Sequence, residues 1–231
     1  MLRRKIEDTL REWKGTPGHL PLVIMGLRQC GKTFIVRKFA EENYKYVHYI
    51  NFIKQPKRIA AFLGSKEVDA ILLVLSAQLR NANFVPGQTC FIFDEIQDCP
   101  RAIQALKYFC ENMPQLHLVA AGSLLGFALR DEGISFPVGK VDRIEMHPMS
   151  FEEFVIADGG EKYIEGIKKL ALDREIPELY TVPFEKYLKN YYIVGGMPEA
   201  VLAWSETHDF KEVDNIQARI LADYADDFGK H

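Results

Sequence analysis

Eight consecutive residues, Gly26-Leu27-Arg28-Gln29-Cys30-Gly31-Lys32-Thr33, follow the pattern G-x-x-x-x-G-K-[ST]. That spacing suits the gripping of a polyphosphate. Gly26 and Gly31 let backbone N–H groups approach an anion that side chains would hold away. A helix starting at Lys32, with Phe34 in its first turn, would point the positive end of its dipole at the same place. Lys32 supplies a charge for the β- and γ-phosphates of ATP, and the Thr33 hydroxyl is a hard oxygen ligand for Mg²⁺. A glycine-rich turn with an incidental lysine would match the same string. It would not require an apolar strand before the loop and an amphipathic helix after it, and both are present.

A second group lies some sixty residues on, at Cys90-Phe91-Ile92-Phe93-Asp94-Glu95. An apolar strand that ends in two carboxylates supplies what a phosphate loop lacks. Asp94 would hold Mg²⁺, through water, and Glu95 would orient and polarise the attacking water. Further along, Val119-Ala120-Ala121-Gly122-Ser123 ends in a hydroxyl that can touch the γ-phosphate or cap the helix expected through Leu124, Leu125 and Phe127. Asn51 ends another strand and has two readings, a hydrogen bond that restrains Glu95 or an ordinary polar strand end.

These residues need a frame. Leu20–Met25, Tyr46–Phe52, Thr89–Phe93, Leu116–Ala120 and Val141–Met146 read as short apolar strands, the third buried on both faces. Helical spacing recurs between them: Leu2, Ile6, Leu10 and Trp13, then Phe34 to Ala40, then residues 56–81, then Ile103 to Met113 behind Pro100. Strands alternating with helices imply βαβ units and a parallel sheet. Beyond Ser150 only helices are expected, punctuated at Gly159-Gly160, Pro177, Pro183 and Gly195-Gly196, and the last carries Ile216, Ile220, Leu221 and Tyr224 as its apolar side. The expected division is a nucleotide-binding domain over 1–148, opening with a helix in 1–15, and a helical subdomain over 149–231.

Taken together these motifs resemble the AAA+ P-loop ATPases. They resemble more narrowly the prokaryotic AAA-type proteins with a G-x-R-Q-x-G-K-T loop, here Gly26 to Thr33. The F-x-D-E-I-Q stretch is similar at Phe91 to Gln97, G-S at Gly122-Ser123, P-x-S-F-x-E-F at Pro148 to Phe154, and G-G-x-P-E at Gly195 to Glu199. The resemblance implies an α/β fold with a five-stranded sheet ordered 5-1-4-3-2, a C-terminal helical lid, Ser123 in a sensor position, and Asn51 where relatives hold a glutamate-restraining residue. It also implies an arginine finger before the fifth strand. Here Gly139 is followed by Lys140, a point charge where arginine offers a planar fork, so Arg130 and Arg143 are the alternative candidates. Relatives continue into a further C-terminal domain, so this chain is either a short member or a piece of a longer one.

The remaining composition bounds the partners. The chain has 231 residues and a net charge of −3, which gives no global basic field for nucleic acid, although a local patch is compatible with it. ATP or ADP and copies of the same chain are the expected partners; a protein or nucleic-acid partner is not legible. Cys30, Cys90, Cys99 and Cys110 form no C-x-x-C pair, which suits reduced thiols in the cytoplasm. The N-terminus has no apolar signal core, and there is no apolar run long enough for a membrane span. Gly139-Lys140-Val141-Asp142 half-matches a guanine-reading motif, but its leading Asn is missing and ATP is preferred over GTP. Arg3-Arg4-Lys5 reads as a solvated helix start, and Asp223, Asp226 and Asp227 as a polar helix face. Three outputs fit: an ATPase that drives an attached domain or partner, a nucleotide switch with negligible turnover, and a small-molecule kinase. The last would not need the Asp94-Glu95 pair.

Overall fold

The structure is a computed structural model that describes residues 2–64, 66–79, 82–123, 136–170 and 175–228. The chain forms two compact units, one of residues 6–146 and one of residues 1–5 with 147–231.

In the first unit five strands, β1 (Leu22–Met25), β2 (Tyr46–Asn51), β3 (Thr89–Asp94), β4 (His117–Gly122) and β5 (Asp142–Glu145), form one sheet in the order β2-β3-β4-β1-β5. Every neighbouring pair is parallel. Read from the other edge this is the expected 5-1-4-3-2. The order requires β1 to lie between β4 and β5, so the loop after β1 opens between them at the sheet's C-terminal edge, where open α/β sheets place ligands.

Side-chain alternation explains the burial on both faces. Val23, Ile50, Phe91, Phe93, Leu118 and Ala120 point to one core, against α4 (Val68–Gln78) and α5 (Pro100–Asn112). Leu22, Ile24, Cys90, Ile92 and Val119 point to the other, against α1 (Ile6–Gly15) and α2 (Lys32–Asn43). All six residues of β3 are buried, as its unbroken apolar run predicts. β5, at the edge, is largely exposed. Residues 56–81 do not form one helix. A 3-10 turn at Pro56–Ile59 runs into α3 (Ala60–Leu63), and α4 starts only at Val68, because the Gly64 region interrupts the helix.

The second unit is helical: α6 (Phe151–Ala157), α7 (Glu161–Lys168), α8 (Glu178–Val194), α9 (Pro198–Thr207) and α10 (Phe210–Phe228). Pro183 does not end α8, although it lies inside the second turn, where its missing N–H leaves the Leu179 carbonyl without its intrahelical bond. On α10 Ile220 is buried but Leu221 is 68% exposed, so the apolar side is narrower than expected. The family-like motifs acquire structural roles here. Ser150 and Glu153 form a reciprocal capping box at the start of α6. A Cβ on Gly196 would fall 2.3 Å from the Met149 carbonyl oxygen, and the Met149 N–H donates to the Gly196 carbonyl at 2.6 Å.

The Arg3-Arg4-Lys5 cluster is not simply solvated. The Arg4 Nε donates to Glu153 Oε1 at 3.1 Å with both side chains buried, the Lys5 N–H donates to the same oxygen, and Arg3 pairs with exposed Glu161. Burial acts to raise the Glu153 pKa, but the Ser150 and Lys5 N–H groups and the Arg4 charge outweigh it and hold the carboxyl below its usual range.

Behind the first unit's sheet, the His19 and His117 rings stack at 3.9 Å, with the Trp13 and Tyr44 rings beside them. Burial, then the neighbouring His19, lowers the His117 pKa from 6.5 to about 4; burial lowers that of His19 against a smaller opposing pull from Asp142. Each folded pKa is depressed, so the neutral rings stabilise the fold above pH 6.5, and that stability is lost as pH falls toward 4. Thermal unfolding should lose up to ~2 kcal/mol between pH 7 and pH 5. The same scan of His117→Phe should be flatter over that window; an equally steep one would show that the titrating group lies elsewhere.

Candidate nucleotide-binding site

The loop after β1 is shaped by two glycines. Gly26 has φ 143, and a Cβ there would lie 2.1 Å from the Met146 carbonyl oxygen. Gly31, at φ 92, is the N-cap of α2. Between them Gln29 is left-handed at φ 62, Leu27 is exposed, and Cys30 is buried with its Sγ 3.5 Å from the Met146 carbonyl oxygen. Phe34, in the first turn of α2, is 56% exposed.

The Lys32 side chain folds back over this loop. Its Nζ donates to the carbonyls of Gly26, at 2.8 Å, and Leu27, at 2.6 Å. Burial lowers its pKa, while Cys30, Glu95 and Asp94 oppose that shift and Arg28 adds to it. A desolvated ammonium in reach of two carboxylates gains most from a further anion. Arg28 Nε donates to Ser123 Oγ at 3.4 Å, joining the loop to the residue after β4.

Parallel pairing brings the acidic group alongside. The hydroxyl of Thr33 donates to both Asp94 oxygens at 3.1 Å. Asn51 is opposite Asp94 in the β2–β3 register, and its Nδ2 donates to Asp94 Oδ2 at 3.0 Å. The Tyr49 hydroxyl donates to the same oxygen at 2.6 Å. Tyr49 is the residue that sequence reading missed. Period-2 alternation along β2 puts it on the face of Asn51, and that is the signal that could have found it. Burial first, and then the bond to Asp94, push its pKa up to about 12.

Glu95 adopts a left-handed backbone at φ 52, which a β-carbon makes costly and which is concentrated at functional positions. Its Oε2 accepts from Gln97 Nε2 at 2.7 Å. Of the two readings of Asn51, the hydrogen bond to Glu95 does not form: Asn51 donates to Asp94, because the strand register sets those two side by side, and Gln97 holds Glu95 from two residues on. Of the finger candidates, Lys140 is paired with Glu111 at 2.9 Å, and Arg143 lies 3.9 Å over the Phe136 ring. Arg130 and the helix expected after Ser123 lie outside the described residues.

A glycine-shaped loop, a buried lysine, and a hydroxyl facing a carboxylate make a set of hard oxygens and one cation suited to Mg²⁺ and a polyphosphate. A family model described as an AAA domain matches residues 19–155, more than half of the chain. The chain belongs to the AAA domain family. A second model, a domain of unknown function, matches residues 185–231 of this AAA protein. No curated protein matches it. Among solved structures, the Walker-type ATPase of Pyrococcus abyssi is 16% identical, with a TM-score of 0.58 over 100% of this chain and 76% of that one. Drosophila ORC bound to DNA is 13% identical over 93% and 66% of the two chains, at a TM-score of 0.48. C. elegans PCH-2 is 13% identical over 89% and 61%, at 0.42. Such identities speak to the fold alone. No helix among the described residues is long and apolar enough to cross a membrane.

The loop geometry makes Gly26 the least replaceable glycine of the site. Gly26→Ala should cost ~2–4 kcal/mol, lowering Tm by roughly 5–10 °C, because the obstacle is backbone. Gly139→Ala, at φ 73 with nothing within 4 Å, should cost only ~1 kcal/mol. Equal Tm losses in the two variants would refute the close-approach argument.

Proposed function

We propose that this AAA domain binds ATP with Mg²⁺ and hydrolyses it, and that the cycle drives a change in the attached helical segment, residues 149–231, or in a partner. The observation that carries the reading is the Thr33 hydroxyl 3.1 Å from both oxygens of buried Asp94, with Lys32 desolvated on the adjoining loop.

In this reading the loop amides from Leu27 to Thr33 cradle the phosphates, and Phe34 borders them from the first helical turn. Lys32 gives up its two carbonyl acceptors for β- and γ-phosphate oxygens, an exchange of neutral partners for charged ones. Bound Mg²⁺ would offset charge on the phosphate oxygens. Thr33 and Asp94 would hold that ion, and Tyr49 and Asn51 fix the carboxylate's orientation. Glu95 orients the water whose oxygen attacks the γ-phosphorus as the bond to the β–γ bridging oxygen breaks, giving ADP and phosphate. Ser123, tied to Arg28, would touch the γ-phosphate.

One feature of the geometry favours slow turnover without an effector. Glu95 is already bonded to Gln97, and Lys140 to Glu111, so the water-orienting carboxylate and one finger candidate are both engaged inside the same chain. A nucleotide switch with low basal hydrolysis is therefore the second reading. Four cysteines outside any disulfide suit a reducing, cytoplasmic setting.

Lys32→Ala should abolish tight ATP binding in a fluorescent-nucleotide titration. Glu95→Gln should bind normally and lose hydrolysis by at least ~10². Normal phosphate release by Glu95→Gln would remove Glu95 from its role. Release that climbs faster than linearly with protein concentration would indicate a site completed by a second copy, whereas linear release at a very low rate would favour the switch.

A further inference from the structure

The segment that follows β2 carries charge unlike the rest of the chain. From Phe52 to Lys66 there are four cations, Lys54, Lys57, Arg58 and Lys66, and no carboxylate, although the whole chain is net −3. Three of the four line a single cleft of about 530 Å³ with Gln55, Pro56 and Gln78. Ile59, Phe62 and Leu63 of the same Pro56–Leu63 segment line a second cleft, of about 460 Å³, with Lys66, Arg101, Gln104 and Tyr108. Neither lining includes an acidic side chain. Glu67 and Asp69, at the start of α4, are the nearest carboxylates in sequence and line neither cleft.

Among the described residues Lys54, Lys57, Arg58, Lys66 and Arg101 form no ion pair. The Arg58 Nη1 is buried and has no hydrogen-bond acceptor, so one edge of a guanidinium is desolvated without compensation. Arg101 satisfies only a backbone carbonyl, that of Leu63. An arginine with an uncompensated edge, grouped with exposed lysines and no carboxylate, favours an anion that comes from outside.

We propose that the two clefts flanking Pro56–Leu63 form a binding surface for single-stranded nucleic acid. Phosphates would lie along Lys54, Lys57 and Arg58 and then along Lys66 and Arg101. The amides of Gln78 and Gln104, and the Nε2 of Gln55, whose Oε1 already accepts from the Asn51 N–H, offer hydrogen bonds to sugar and base edges, and Tyr108 offers a ring face for stacking. Two concave clefts separated by one short stretch of chain suit a flexible strand better than a rigid duplex. An acidic polypeptide would meet the same charge and could pair with the same arginines, but it would not use the ring face that a stacked base would.

The test is fluorescence anisotropy of a labelled 20-nucleotide oligo(dT) strand with the full chain, in the absence of ATP, over a series of salt concentrations. It is thus independent of the nucleotide site. Binding should weaken with salt at a log–log slope near −0.7 per phosphate contact, so that five contacts give about −3.5. Lys54→Ala/Lys57→Ala should weaken binding about 10-fold and make the slope about 1.4 less steep. Adding Arg58→Ala should weaken it further. The double variant keeps Arg58, so a folding failure of the triple would not hide the answer. Lys186→Ala/Lys189→Ala, on helix α8, should change nothing. The proposal is overturned by absent binding, by an unchanged affinity in the double variant, by tighter binding of a duplex of equal length, or by equally strong competition from polyglutamate.

Discussion

The Asp94 carboxylate is the point on which the candidate site depends. It is 3% exposed, and three side chains donate to it: Thr33 from the phosphate loop, and Tyr49 and Asn51 from the neighbouring strand. A buried carboxylate is tolerable only when its oxygens are satisfied, and here the satisfaction comes from two chain segments far apart in sequence. The same contacts that make the charge affordable also fix the loop, the helix behind it and the β2–β3 register in one arrangement. Under the proposed function, the ligand would enter a place already ordered around one anion.

Two positions show how local geometry serves that arrangement. Gly26 passes so close to the Met146 carbonyl that only a hydrogen fits, which lets the loop leave β1 beside β5. Glu95 accepts an unfavourable left-handed backbone directly after the last residue of β3. Its carboxylate is thereby turned away from the strand's own alternation and becomes available to Gln97. Strain of this kind persists only where the surroundings over-determine the conformation, and here the buried strand and the following 3-10 turn at Ile96–Asp98 do so.

Asn51 links the two surfaces considered for ligands. Its Nδ2 donates to Asp94, and its Oδ1 accepts from the Lys54 N–H at 2.8 Å, the first residue of the basic cleft. Its backbone carbonyl also accepts from the Gln55 N–H. A polar strand end, which sequence reading could treat as incidental, thus lies between the metal-holding candidate and the cationic segment. Its amide has one acceptor and one donor side, and each is used in a different direction.

Much of this was legible before any coordinates. The string from Gly26 to Thr33, the apolar run closing in Asp94-Glu95, and the alternation of short strands with helices determine the loop, the acidic group and the parallel sheet, because each is a local pattern with a local physical cause. What only the tertiary structure decided is partnership between segments distant in sequence. Asn51 meets Asp94 rather than Glu95 because strand register, not sequence spacing, sets the neighbours across a sheet. Tyr49 joins the site for the same reason. Arg4, which reads as a solvated cation, is buried against Glu153 because α6 presents that carboxylate to it from 149 residues away. Periodicity describes which face a residue takes; which residue waits on the opposing face depends on the folded chain.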